Sequence, residues 1–132
     1  METETREPGM KDNKHILITE DNDLNFAYLE KALKRLSINV IRAYNGEEAV
    51  NACHIHPDII LVIMDIKMPV MDGWTAIRMI KSFRPDLPVF VVTAYMLNNE
   101  EHLSFEAGCD EYLTKPVNYK LLVRKLNKYG IG

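Results

Sequence analysis

Ile59-Ile60-Leu61-Val62-Ile63-Met64-Asp65 is the stretch on which the fold turns. Its apolar run has neither a helical period nor an alternating polar one. A run this short, closed by a carboxylate, fits a strand covered on both faces, and such strands belong to parallel sheets. The flanking segments should then alternate between helix and strand. Upstream, His15-Ile16-Leu17-Ile18-Thr19 reads as a strand, and Phe26, Leu29, Leu33 and Leu36 form a helical stripe after it. Ile38 to Ala43 is a second strand. Asn45-Gly46-Glu47-Glu48 then has the form of a capping box and opens a helix running to about His54. Downstream, Pro69 keeps a helix from starting at once and Asp72-Gly73 marks the turn into one carrying Ala76, Ile80 and Phe83. Val89 to Val92 is a fourth strand. A polar helix from about Asn98 to Ala107 ends at Gly108. Glu111 to Leu113 is a short strand before a last helix with Leu122, Leu126 and Tyr129 at helical spacing.

Five strand–helix repeats predict an α/β fold: a doubly wound five-stranded parallel sheet with right-handed crossovers and helices on both faces. Residues 1–13 hold Pro8, Gly9 and many charges without any period, and read as a disordered lead or linker remnant. Residues 14–130 then form one domain, as 132 residues leave room for little else. Sixteen Lys and Arg against 19 Asp and Glu give a net charge of −3, which supports no nucleic-acid-binding surface. Cys53 and Cys109 lie far apart, outside any metal or disulfide spacing, which fits a reducing compartment. No apolar run approaches the ~18 residues that span a membrane, and the first residues lack a secretion signal. The expected setting is the cytoplasm, with no membrane contact.

In open parallel sheets ligands bind beyond the carboxyl ends of the strands. Glu20 and Asp21 follow the first strand, Asp65 the third, Thr93 closes the fourth and Lys115 follows the fifth. Each alone would more often be a cap or a solvated charge, and Asp21 could simply cap the first helix. Their joint placement points to a site. Three clustered carboxylates need a cation, and oxygen-only ligands suit a hard ion such as Mg²⁺, with Mn²⁺ as the alternative. Lys115 and Thr93 beside that ion suit a phosphoryl group, and Asp65, at the end of the most apolar strand, is placed to attack phosphorus. The four histidines read as surface or packing residues.

Glu20-Asp21, Met64-Asp65, Met68-Pro69, Asp72-Gly73, Thr93-Ala94 and Lys115-Pro116, in this order and spacing, resemble a two-component receiver domain, the phosphoacceptor module of response regulators and hybrid histidine kinases. The resemblance spans about residues 14–130. It implies a flavodoxin-like (βα)5 sheet of strand order 2-1-3-4-5. It also implies that Asp65 is phosphorylated from a phosphohistidine on a histidine kinase or histidine phosphotransfer domain. Mg²⁺ would be held by Asp21 directly, Glu20 through water, Asp65, and the backbone carbonyl of Lys67. Lys115 would pair with the phosphoryl group, its bond to Pro116 being commonly cis in such domains. Thr93 would move toward a phosphoryl oxygen and draw Tyr112 inward. Lys67 and Tyr95 occupy positions that affect phosphoryl lifetime, and both are large. Such a domain assists its own phosphorylation and dephosphorylation without being an enzyme proper. The motif wording leans toward receivers of hybrid kinases, in which case the parent protein would be a histidine kinase.

Other readings have less behind them. A hydrolase using an aspartyl phosphate would want a general acid near Asp65, where Ile66 and Lys67 stand. A flavin or nucleotide binder would want clustered glycines, and the six here are scattered. A degenerate receiver serving only as a docking module is the remaining alternative. Trp74, Met68 and Met71 read as packing around the loop after Asp65. Lys115, Lys120, Arg124, Lys125 and Lys128 make the last helix basic, either as a solvated face or as a surface for an acidic partner.

Overall fold

The computed structural model describes residues 14–68, 70–94 and 99–132. The lead at 1–13, the helix-delaying Pro69, Tyr95 and the expected helix start at Asn98 lie outside these residues. The elements run β1 (His15–Thr19), α1 (Asp23–Lys34), β2 (Asn39–Ala43), α2 (Gly46–Ile55), β3 (Ile59–Asp65), α3 (Gly73–Phe83), β4 (Val89–Thr93), α4 (Glu100–Ala107), β5 (Glu111–Thr114) and α5 (Tyr119–Lys128). All pairings are parallel and the strand order is β2-β1-β3-β4-β5, as the resemblance implied.

The two faces of each strand explain the apolar runs. Along β3, Leu61 and Ile63 point to one side and Val62 and Met64 to the other, following the two-residue period of extended chain. The first side, with Ile16, Ile18, Phe90 and Val92, is covered by Leu29 and Leu33 of α1 and Leu122 and Leu126 of α5. The second, with Leu17, Val89 and Val91, is covered by Val50 of α2, Ile77 and Ile80 of α3 and Ala107 of α4. Trp74, Met68 and Met71 pack against this second core. His54 stacks on Phe83 with ring centroids 3.6 Å apart.

Side-chain caps start four of the helices. Asn22, Asn45, Asp72 and Asn118 each accept a hydrogen bond from the backbone N–H three residues on. The α1 cap is thus Asn22, and the capping alternative for Asp21 falls away. At α2 the box is offset: Asn45 accepts from Glu48 N, but Glu48 Oε1 accepts from the N–H of Tyr44 at 2.8 Å, one residue before the cap. Tyr44, not the cap residue, has the amide turned toward the helix. The strand expected from Ile38 begins at Asn39, with Ile38 buried in the core before it. Gly108, at φ 119°, terminates α4 in a left-handed conformation that favours glycine.

Candidate functional site

The carboxyl ends of β1, β3, β4 and β5 meet at one edge of the sheet. Strand pairing continues one step past β1, where Glu20 N–H donates to the Ala43 carbonyl at 3.0 Å and carries the chain into the Glu20–Asn22 turn. Glu20 is only 2% exposed, whereas Asp21 lies in the open. Asp65 ends β3 and is 7% exposed. Its Oδ1 accepts from the Lys67 N–H at 2.9 Å, which fixes one oxygen toward the loop. Oxygens of Glu20, Asp21 and Asp65 come within 4.8 Å of one another.

Lys115 offsets part of the charge of this cluster. Its Nζ lies 2.7 Å from Glu20 Oε1 and 3.2 Å from Asp65 Oδ2, and its main-chain N–H donates to the Thr93 carbonyl at 2.8 Å. The Lys115–Pro116 bond is cis. Burial raises the Glu20 carboxyl above its ordinary value; the hydrogen bond from Lys115 opposes this and the charge of Asp65 adds to it. Burial alone would lower Lys115, but its bond to Glu20 and the charges of Asp65 and Glu20 outweigh that, so its pKa lies above the ordinary one. Thr93 is fully buried at the end of β4, one residue past Val92, the residue paired with Asp65.

The loop after Asp65 is seated on the start of α3. A Cβ built on Gly73 would lie 2.6 Å from Ile66 Cα, so only glycine lets the helix approach this closely. Gly73 N–H donates to the Ile66 carbonyl at 3.3 Å.

A second polar group lies beside the site. Tyr112 donates its hydroxyl to Glu100 Oε1 at 2.8 Å, and Lys67 Nζ lies 3.5 Å from Glu100 Oε2. The Ser104 hydroxyl donates to the Glu100 carbonyl at 2.8 Å and accepts from the Trp74 indole N–H at 2.9 Å. Glu100 is 2% exposed. The sequence reading missed it, because a first-turn acid on a polar helix looks solvated. Arg42, whose Nη2 donates to the Glu20 carbonyl at 3.0 Å, was not singled out either, although a charged residue in the strand beside the acidic turn was a usable signal. Both cysteines are buried, which pushes their thiols up to about 11 for Cys53 and about 12 for Cys109.

The family model of the response regulator receiver domain matches residues 16–127. The chain belongs to that family. As a receiver domain it is part of two-component phosphorelay signalling, the module that accepts phosphoryl groups. It is 39% identical over 120 residues to hybrid signal transduction histidine kinase G of Dictyostelium discoideum, covering 87% of this chain and 4% of that kinase. Among solved structures, the receiver domain of Ssk1 from Saccharomyces cerevisiae, determined with the histidine phosphotransfer protein Ypd1, superposes with TM-score 0.81 at 31% identity, covering 89% of this chain and 88% of that one. The receiver domain of sensor histidine kinase PA1611 from Pseudomonas aeruginosa PAO1 superposes with TM-score 0.80 at 30% identity, covering 88% and 96%. That structure holds a magnesium ion in its active-site cleft. Among the described residues of this receiver domain no helix is long and apolar enough to cross a membrane.

Proposed function

We propose that Asp65 is the residue phosphorylated, by transfer from a phosphohistidine of a histidine kinase or histidine phosphotransfer domain. The observation that carries this reading is the convergence of Glu20, Asp21, Asp65 and Lys115 from three strand ends. In the transfer, the donor's N–P bond breaks as an Asp65 Oδ–P bond forms, and the imidazole leaves. The Lys67 N–H on Oδ1 holds the carboxylate in one orientation for that attack. Lys115, already beside Oδ2, pairs with the arriving phosphoryl oxygens, and the Thr93 hydroxyl donates to another.

The donor set fits a hard divalent cation, being all oxygen, closely spaced and one-sidedly negative. Glu20, Asp21, Asp65 and the Lys67 carbonyl would hold Mg²⁺, or Mn²⁺ in its place. When bound, the ion supplies neutralisation of the phosphoryl charge. Thr93 and Tyr112 form the switch: Thr93 follows the phosphoryl group and Tyr112 gives up its bond to Glu100, shifting a pre-existing equilibrium. Residues 14–130 are the acceptor unit. It acts in the cytoplasm as a phosphoacceptor rather than an enzyme proper, within a hybrid histidine kinase where that is its parent.

Incubation with acetyl phosphate, with and without Mg²⁺, tests this by intact mass beside Asp65→Asn. The expected result is one added phosphoryl group, dependent on Mg²⁺ and absent in the variant. No adduct, together with no binding of beryllofluoride, would leave a docking module that kept the site and lost the chemistry.

A further inference from the structure

Arg42 sits on β2, a strand that supplies none of the residues given a part in phosphoryl chemistry, yet its guanidinium reaches the turn after β1. Nε and Nη2 both donate to the main-chain carbonyl of Glu20, at 3.1 and 3.0 Å. Nη2 also lies 2.9 Å from Asp23 Oδ1. The guanidinium carbon stands 4.3 Å from the ring centroid of Phe26 and 4.0 Å from that of Tyr44, so two aromatic rings hold the fork in place. The side chain is 16% exposed.

The Glu20 carbonyl belongs to the peptide plane that also contains the Asp21 nitrogen. Fixing that oxygen fixes the plane, and with it the direction in which Asp21 leaves the sheet. On its other side Glu20 is held through its N–H by the Ala43 carbonyl at 3.0 Å. Asp21 is exposed, so packing does little to orient its carboxylate. Resting on the reading of the acidic cluster as a divalent-cation site, we infer that Arg42 is a positioning residue for that site, setting the Glu20–Asp21 peptide so that Asp21 meets the ion. A role by charge alone has the opposite sign, because a nearby guanidinium repels Mg²⁺ and its removal would tighten binding. Lysine keeps the charge but cannot reproduce a planar fork between two rings.

Calorimetric titration of the whole chain with Mg²⁺ separates these roles when wild type, Arg42→Gln and Arg42→Lys are compared. Amide exchange at Asp21 and Asn22 is measured in parallel without metal. We expect both variants to bind Mg²⁺ about tenfold more weakly, as when an outer partner of a ligand is lost, and to exchange these amides faster. Unchanged or tighter binding by Arg42→Gln, or wild-type affinity in Arg42→Lys, overturns the inference. Should Arg42→Gln fail to fold, Arg42→Lys decides alone. A wild-type chain that takes up no Mg²⁺ overturns the cation-site reading itself, a result distinct from failure of the Arg42 inference.

Discussion

Lys115 touches Glu20 Oε1 and Asp65 Oδ2 at once, and its ammonium is the counter-charge of a group of acids that are otherwise mutually repulsive. Replacing it with Met keeps the stem and removes the charge, leaving two buried carboxylates against each other. In chelator, Lys115→Met is expected to lose about 2 kcal/mol, less than a fully buried pair would cost because the site opens to water. Added Mg²⁺ should return part of that, and urea unfolding with and without the ion measures both. At this scale the site was legible where topology delivers it: Glu20, Asp21, Asp65, Thr93 and Lys115 all stand where parallel strands end. Glu100 was not, because a charged side chain on a polar helix becomes buried only when particular neighbours close around it. Tyr112 is such a neighbour, and nothing in the chain around Glu100 announces their pairing.

Helix α5 keeps Lys120, Arg124 and Lys128 exposed, in line with a solvated basic face. Two of its cations also reach the sheet: Lys125 Nζ lies 2.9 Å from Glu111 Oε1 and Lys128 Nζ lies 2.9 Å from Oε2. The Tyr129 hydroxyl also donates to Oε2, at 2.9 Å, and burial with that bond pushes its own pKa up to about 12. Burial would raise Glu111, but the bonds from Lys125, Lys128 and Tyr129 outweigh it and hold its carboxyl below the ordinary value. A carboxyl lowered by folding contributes stability above its unfolded value, near 4.5, and loses that contribution as pH falls through the folded value. Urea midpoints should therefore drop on acidification below about 4.5, and drop less steeply in Glu111→Gln. The strands were legible, as were the helix starts at Asn45 and Asp72; the caps Asn22 and Asn118 emerged only with the structure. Before α4, Asn99, at φ 67°, makes no side-chain cap bond.

For the molecule as a whole, alternation of apolar strands and helices was enough to predict a parallel sheet, but not the order of its strands. Strand order depends on which crossover goes to which side, and only the resemblance to receiver domains supplied it. One consequence of placing three acids at the sheet edge is global. A cation that binds the folded chain and not the unfolded one adds stability with concentration, about 2.7 kcal/mol at a hundredfold excess over Kd. Calorimetric melting temperature should rise with Mg²⁺ in the wild type and stay nearly flat in Asp21→Ala. The hydrogen bond between Trp74 on α3 and Ser104 on α4 has a further use. Trp74 is the chain's sole tryptophan. Its ultraviolet emission therefore arises from a single indole lodged at the seam between those two helices, so the unlabelled protein carries its own optical gauge of whether that seam has shifted.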